Sequence, residues 1–266
     1  MEKYQIIIKE NGVQLISFYE EHWYDIPGID HLLKSVSLVL STIAKGAGFN
    51  NWLKDVGHNA DLILKQAQEN GSRLHKAFED AIKGKTISCN EGLEVFPKRE
   101  WQKFLDWANW YSEIDITPLL LETTVFSVDD DCAGTFDGIF EIKNTEGGKY
   151  DGIWILDWKT GNDIYETSKL QVAAYAKWYN ELVDAGYFTT PKVTRAGIVH
   201  VGAKIKTKKD LQNIGVKVEE ADIEADYPAF KDALALFNRF NPDIKAPVQD
   251  FPVEVKLSKG VLLPQK

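Results

Sequence analysis

Cysteine is scarce in this sequence, which limits the kinds of stabilised or metal-bound site that the chain can form. Its two cysteines, Cys89 and Cys132, lie far apart and lack CxxC spacing. Two such thiols argue against a disulfide framework or a zinc knuckle, and they cannot supply a four-cysteine iron–sulfur cluster. Eight tryptophans and thirteen phenylalanines can instead supply a sizeable apolar core.

The sequence also lacks a signal-peptide pattern, an internal repeat and an apolar run long enough to span a bilayer. We therefore expect a cytoplasmic protein without a membrane partner.

Basic residues are not in excess, since 31 basic and 40 acidic residues give a net charge of −9. A protein that coats nucleic acid through bulk charge is disfavoured, whereas a local basic groove is not. Seven Lys or Arg residues against one acid over residues 192–217 indicate either a solvated loop or such a groove.

Two alternating stretches, residues 134–143 and 151–161, are rich in Ile, Phe and Trp and predict two strands. The turn sequence between them contains two glycines, which favour positive φ, so we expect a hairpin. Side chains two apart on a strand share a face, so Asp157 and Lys159 point the same way and Asp137 can lie beside them. This patch is either a solvated strand face with an Asp–Lys ion pair or a site for a divalent cation such as Mg²⁺.

A helical pattern precedes this hairpin and carries a histidine. Residues 52–81 predict helices that break at Gly57 and again at residues 70–71, where Ser72 would cap the last segment. His75 lies on that last segment. A lone helical His is more often a surface or core residue than a metal ligand, and the helix alone does not decide between them.

Two further helices carry polar side chains. A helix is predicted over residues 167–185, and it places Gln171 and Tyr175 four apart on one face. An ordinary amphipathic helix with a buried Tyr would show the same spacing. Ser35 could cap a helix that follows it. Alternatively, the hydroxyls of Ser35 and Ser37 and the free N–H groups at that helix start could hold a phosphate.

The remaining elements are predicted more coarsely. Apolar runs on both sides of an Asn-Gly pair predict an opening hairpin within residues 5–18. Residues 24–27 are predicted to be irregular. A helix is predicted over residues 96–111, with Trp107 outside its apolar stripe. Pro228 is predicted to open another helix, and the last twenty residues have no clear pattern.

The order of these features resembles the PD-(D/E)xK nuclease superfamily and, within it, the RecB-type exonucleases that include the mitochondrial genome-maintenance exonuclease family. Four matches carry the resemblance, and Ser35-Val-Ser37 is similar to a Ser-Val-Thr segment of that family, with Lys34 where a Pro is usual. The four are, in order, Gly71-Ser-Arg-Leu-His75, Gly134-Thr-Phe-Asp137, Asp157-Trp-Lys159 and Gln171-Val-Ala-Ala-Tyr175. The resemblance as a whole covers roughly residues 34 to 180.

The resemblance implies an α/β fold. It has a restriction-endonuclease-like core, with a small mixed β-sheet flanked by helices, an N-terminal hairpin and a helical wall. Residues 1–266 would form a single nuclease domain: hairpin and helices over 1–111, the catalytic core over 112–202, and closing strands, helix and tail over 203–266.

The resemblance also implies site residues. Mg²⁺ or Mn²⁺ would be held by His75, Asp137, Asp157 and the backbone carbonyl of Trp158, whose side chain should pack in the core. Lys159 would act in catalysis with the two aspartates. Glu122, at the start of an earlier strand, would orient a metal-bound water, bind a second cation, or be only a strand-end charge. The residues expected to contact nucleic acid are Ser35, Ser37, Arg73, Thr160, Gln171 and Tyr175.

The implied function is a metal-dependent DNA nuclease, an exonuclease acting on single-stranded ends in phage or bacterial recombination, repair or replication. DNA would be the main partner, with a recombinase or single-strand-binding protein as a candidate protein partner. One alternative is a degenerate nuclease fold that serves as a nucleic-acid or protein interaction module. Another is a sequence-specific endonuclease, which would cut closed circular DNA.

Overall fold

A mixed β-sheet forms the centre of the molecule. The computed structural model describes residues 5–8, 12–18, 21–89, 96–206, 212–247, 255–258 and 261–264. Within them, nine strands form one sheet in the order β1-β2-β3-β4-β6-β7-β8-β9, with β5 also paired to β6. The strands are β1 (Gln5–Ile8), β2 (Gln14–Phe18), β3 (Glu21–Asp25), β4 (Leu33–Ser35), β5 (Asp115–Ser127), β6 (Cys132–Lys143), β7 (Gly152–Lys159), β8 (Arg195–Lys206) and β9 (Gln212–Ala221). The predicted α/β class is confirmed, and the sheet is larger than the small one expected.

Two of the strand pairs are parallel, and they lie on either side of the predicted central hairpin. β4 runs parallel to β6 and β7 runs parallel to β8, whereas the other pairs are antiparallel. The hairpin of β6 and β7 is confirmed, with positive φ at both glycines of its turn. A separate two-stranded sheet joins β10 (Val255–Ser258) to β11 (Val261–Pro264), in the tail that had no predicted assignment.

Helices cover both faces of the sheet, as expected for an α/β layer architecture. The described helices are α1 (Val36–Leu40), α2 (Gly46–Val56), α3 (Ala60–Ile82), α4 (Lys98–Glu113), α5 (Thr167–Asp184) and α6 (Ile223–Phe240). One apolar cluster joins α1, α5 and α6 to the sheet, and another joins α3 and α4 to it. None of the helices in the described part of the chain is long and apolar enough to cross a bilayer.

The predicted break at residues 70–71 is wrong, because α3 runs without interruption from Ala60 to Ile82. Ser72 is therefore inside the helix and does not cap it. A Cβ atom at Gly71 would lie 3.3 Å from Thr160 Oγ1, so this glycine permits close approach to the segment after β7. The break predicted at Gly57 is confirmed, and that residue has a φ of 59°.

Other boundaries also differ from the prediction. α6 starts before Pro228, at Ile223, because the side chain of Asp222 accepts hydrogen bonds from two backbone N–H groups of the first turn. β3 occupies part of the stretch that was predicted to be irregular. Trp107, predicted outside the apolar stripe of its helix, is only 2% exposed and packs among other aromatic rings.

The opening hairpin is confirmed as the pairing of β1 with β2, and its turn at residues 9–11 lies outside the described residues. The predicted basic stretch is only partly described, because residues 207–211 also lie outside. Three of its members, Lys192, Arg195 and Lys217, each form an ion pair with an acidic side chain, at 2.6–2.7 Å. These three cations therefore favour the interpretation as solvated, paired surface.

Candidate active site

The candidate site lies at a fork in the sheet along β6. Because β5 pairs along the whole of β6, β4 and β7 must share its other edge. β4 pairs with residues 132–133 and β7 with residues 138–142, so residues 134–137 lie between the two partners. The fork brings the end of β4, the end of β7 and Asp137 towards one place.

The His75 imidazole of α3 reaches the carboxylate of Asp137. His75 Nδ1 lies 2.8 Å from Asp137 Oδ1, and the backbone N–H of Trp158 donates a hydrogen bond of 2.6 Å to Asp137 Oδ2. The Trp158 side chain itself is buried among aromatic rings, as predicted. Asp137 therefore links the early helix to the end of β7.

The second carboxylate, Asp157, pairs with Lys159. Lys159 Nζ lies 2.6 Å from Asp157 Oδ2 and donates a hydrogen bond of 3.0 Å to Gln171 Oε1. Gln171 Nε2 in turn donates to the Tyr175 hydroxyl at 2.9 Å. The hairpin face that carries Asp157 and Lys159 therefore meets the helix face that carries Gln171 and Tyr175, through the hydrogen bond from the Lys159 ammonium to the Gln171 amide.

The second carboxylate is buried and has one charged partner. Asp157 is 5% exposed, and its Oδ2 is contacted by the Lys159 ammonium at 2.6 Å. The neighbouring Asp137 carboxylate disfavours its charge. Two buried carboxylates that share one ammonium are costly, and a bound cation would stabilise both.

The two aspartates have opposite pKa shifts. Burial raises the pKa of Asp157, and this effect outweighs the attraction of Lys159. Burial opposes ionisation of Asp137 too, but His75 and the Trp158 N–H stabilise the charged form and lower its pKa. The pKa of Lys159 is raised, because the two aspartates outweigh the effect of burial. The site therefore holds two unlike carboxyl groups and an ammonium that stays charged.

Gly134 allows the Tyr175 ring to approach the backbone of β6. A Cβ atom at this position would lie 2.2 Å from a ring carbon of Tyr175. The next residue, Thr135, shares hydroxyl contacts with Tyr24 at 3.3 Å and with Thr124 at 3.0 Å. Burial, with a smaller effect of Glu122, raises the pKa of Tyr24 to about 12. No local pattern of residues predicts this hydroxyl network, because its members come from three separate strands.

Glu122 is placed differently from the prediction, within β5 and not at its start. Leu121 pairs with Gly138 and Thr123 with Phe136, so Glu122 lies opposite Asp137 on the neighbouring strand. Its φ of 46° is unusual for a residue other than glycine. Strained backbone of this kind costs on the order of 1–3 kcal/mol and often occurs at functional sites.

The segment after β7 is braced by two residues that the sequence analysis did not single out. Lys103 of α4 is 6% exposed, pairs with Glu100, and donates a hydrogen bond of 2.8 Å to the backbone carbonyl of Thr160. His200 Nε2 of β8 donates to the carbonyl of Gly161 at 2.8 Å. The two residues that follow Lys159 are therefore each held by a hydrogen bond to the backbone carbonyl, Thr160 from α4 and Gly161 from β8.

The remaining predicted contact residues have local roles. Ser35 caps α1, since its Oγ accepts a hydrogen bond of 3.1 Å from the Leu38 N–H, and it lies 3.0 Å from Ser37 Oγ. The interpretation of Ser35 as a helix cap is thus confirmed. Ser37 lines a cleft that lies between the α1–α2 region and the start of α5. Arg73 donates to the Asn70 side chain at 3.2 Å and is not brought against the aspartates by any described contact.

The donor set fits a hard or borderline divalent cation. Carboxylate oxygens and an imidazole nitrogen are ligands for Mg²⁺ and Mn²⁺, and Asp137, Asp157 and His75 supply them here. In the described part of the chain, no three His, Cys, Asp or Glu side chains converge as a complete metal site. His75 and Asp137 instead hydrogen-bond to each other, so cation binding at these residues would replace that hydrogen bond.

Comparison with known proteins does not assign the chain to a family. No protein-family model matches the sequence, and no curated protein is significantly similar to it.

Proposed function

We propose that this protein is a metal-dependent nuclease of the PD-(D/E)xK type that hydrolyses phosphodiester bonds in DNA. One observation carries the proposal: His75 contacts Asp137, while Asp157, Lys159 and Gln171 form a continuous set of contacts beside it. Two buried carboxylates in one place are unfavourable unless they serve a ligand. The alternative of a non-catalytic interaction module does not explain why the chain retains them.

His75, Asp137, Asp157 and the Trp158 carbonyl are the groups that would hold Mg²⁺ or Mn²⁺. When bound, such a cation polarises a phosphate oxygen and lowers the pKa of a coordinated water. The residues of the chain supply position and charge. The hydrogen bond from the Trp158 N–H keeps Asp137 directed at the end of β7.

Lys159 is assigned the role of stabilising negative charge on the phosphate. Its raised pKa keeps the ammonium protonated, so it is better suited to orient the attacking water and neutralise developing charge than to accept a proton. Gln171 holds the ammonium from one side and is itself held by Tyr175. Glu122, opposite Asp137, is a further candidate for orienting the water.

The activity is tested with end-labelled single-stranded and double-stranded oligonucleotides and a closed circular DNA, each with Mg²⁺ or Mn²⁺. An exonuclease acting on single-stranded ends should degrade the single strand and leave the circle intact. Cutting of the circle would support the endonuclease alternative. DNA binding without cleavage, and without thermal stabilisation by either cation, would support the interaction module.

We predict that Asp157→Asn and Lys159→Met each reduce cleavage by at least about 100-fold, since the first removes a carboxylate assigned to the cation and the second removes the ammonium assigned to the phosphate. The fold should persist, and Asp157→Asn should leave the melting temperature unchanged or raised, because burial and the neighbouring Asp137 carboxylate disfavour the charge that it removes. The measurements are single-turnover rates and thermal melting followed by circular dichroism.

A matched control lies on the neighbouring strand. Glu141 and Lys143 have the same two-residue spacing and form an ion pair of 2.8 Å at the surface of β6. Glu141→Gln and Lys143→Met should leave cleavage within about twofold of the unmodified protein. Retention of cleavage in the Asp157 and Lys159 variants would remove the site assignment.

A further inference from the structure

A cleft adjoins the candidate site and is continuous with it. Its volume is about 850 Å³, and it lies between the α1–α2 region and the start of α5. Lys159 and Gln171 form part of its wall, so a strand whose phosphate reached Lys159 would pass through this space. The volume falls within the range of about 300–1,000 Å³ that is typical of ligand pockets.

One wall of the cleft carries an aromatic ring that the core does not use. None of the eleven described residues of α2 is buried, although the helix contains Phe49 and Trp52. The Phe49 and Trp52 rings stack with centroids 5.6 Å apart and an interplanar angle of 27°. Lys45 Nζ lies 4.6 Å from the centroid of Phe49, and both residues line the cleft. Aromatic rings combined with a nearby cation are the usual means of holding single-stranded nucleic acid.

The opposite wall supplies a second ring and several hydroxyls. Tyr165 is 43% exposed and lines the cleft just before α5. Thr167 and Ser168 follow it on the same wall, and Ser37 contributes a hydroxyl from α1. The cleft therefore offers stacking surfaces, hydroxyl donors and cations within one volume.

The charge of the cleft is compatible with a phosphodiester backbone. Lys45 and Lys159 contribute positive charge to it, and Glu166 is the acid that lines it. Glu166 is paired with Lys169 at 3.0 Å, so its charge is largely offset. A polyanion entering the cleft thus meets the ammonium groups of Lys45 and Lys159, and the Asp157 carboxylate that pairs with Lys159 is the group assigned to the cation.

We propose that Phe49 and Tyr165 bind unpaired bases of the DNA strand next to the scissile phosphate. In duplex DNA the base faces are already stacked on each other, so exposed rings gain contact area only when the bases are unpaired. The cleft would thereby select single-stranded ends through base stacking. The inference rests on the proposed nuclease function, and it assigns substrate selection to two residues outside the metal-binding set.

The test compares two end-labelled single strands: oligothymidylate and a matched oligomer whose last three nucleotides lack bases. Phe49→Ala and Tyr165→Ala should each weaken binding of oligothymidylate and raise its KM roughly tenfold, as expected for loss of one stacked base. Binding and cleavage of the abasic oligomer should change less than twofold. The conservative variants Phe49→Tyr and Tyr165→Phe should retain the preference for base-bearing DNA.

Phe240→Ala is the control for a general effect of exposed rings, since Phe240 is 69% exposed on α6 and does not line the cleft. It should leave both substrates unaffected. If Phe49→Ala and Tyr165→Ala affect both oligomers equally, or if the unmodified protein does not distinguish them, the stacking site is wrong while the nuclease function stands. If neither oligomer is cleaved with Mg²⁺ or Mn²⁺, the proposed function fails and the inference fails with it.

Discussion

Asp137 shows how much of this site depends on the surroundings of a single residue. Its carboxylate receives one hydrogen bond from His75 and another from the Trp158 backbone, whereas Asp157 is buried beside a second carboxylate and has the Lys159 ammonium as its charged partner. Ionisation of the same functional group is therefore favoured at one position and disfavoured at the other. Residue type predicts which groups can take part, but burial, neighbouring charges and hydrogen bonds together set the charge of each group.

Cys132 gives a test of burial at the residue scale. It is fully buried at the start of β6, and burial raises the pKa of its thiol to about 12. At pH 9 an ordinary cysteine is largely thiolate, but Cys132 should remain a neutral thiol and react slowly with iodoacetamide. Mass spectrometry of the labelled protein should show modification of the partly exposed Cys89 before Cys132.

The stability of the protein should depend on pH through the same thiol. Its pKa is higher in the folded than in the unfolded protein, so burial of the neutral thiol contributes fully to the unfolding free energy below about pH 9. That contribution is lost as the pH rises towards 12. A Cys132→Ala variant should lose less unfolding free energy over that window than the unmodified protein. Rapid labelling of native Cys132 at pH 9 would contradict the prediction.

At the scale of elements, the contact between β6 and α5 holds the two halves of the site together. Gly134 on the strand and Tyr175 on the helix approach so closely that no side chain fits between them. Tyr175 in turn holds Gln171, which contacts Lys159. The spacing of these elements therefore fixes the position of the ammonium.

We predict that Gly134→Ala destabilises the protein by about 1–3 kcal/mol, because the added methyl forces the Tyr175 ring away from β6. Cleavage should fall as well, since Gln171 would move with the ring. Urea denaturation measures the unfolding free energy. The double variant Gly134→Ala with Tyr175→Ala should be less destabilised than the sum of the two single variants.

Gly48→Ala is the matched control, because a Cβ atom at Gly48 has no neighbouring heavy atom within 4 Å among the described residues. It lies in α2, where alanine is favoured over glycine by roughly 1 kcal/mol, so stability should be equal or higher. A Gly134→Ala variant as stable as Gly48→Ala would show that the approach of Tyr175 is not a constraint.

At the scale of the whole molecule, Asp130 joins elements that are distant in the sequence. It lies in the turn between β5 and β6, is buried, and accepts hydrogen bonds of 2.8 Å from Trp178 Nε1 and from the Tyr227 hydroxyl. Lys231 forms an ion pair with its other oxygen. This carboxylate therefore ties α5 and α6 to the sheet on the face opposite to α3 and α4.

Asp130→Ala should cost about 3 kcal/mol of unfolding free energy, because it leaves a buried indole N–H and a phenol hydroxyl without their acceptor. Asp130→Asn keeps one acceptor oxygen and should cost less. The neighbouring Asp129 is exposed, and Asp129→Ala should change stability by less than about 0.5 kcal/mol. Equal denaturation midpoints for Asp130→Ala and Asp129→Ala would contradict this role.

The sequence by itself determined the local geometry of the site. Alternation in β6 and β7 and the four-residue spacing in α5 follow from backbone periodicity, which depends on neighbouring residues only. Asp157 with Lys159, and Gln171 with Tyr175, could therefore be predicted to share a face. Where packing overrides local preference, as at Gly71 inside α3, the same reasoning failed.

Only the tertiary structure decided which of these faces meet. His75 precedes Asp137 by 62 residues, and their contact depends on how α3 packs against the sheet. The fork at β6, the position of Glu122 and the aromatic cleft beside Lys159 likewise arise from the packing of several elements at once. Such contacts are set by the complete core and not by any short segment, so periodicity and spacing do not predict them. The meeting of His75 with Asp137 was expected only from the family resemblance.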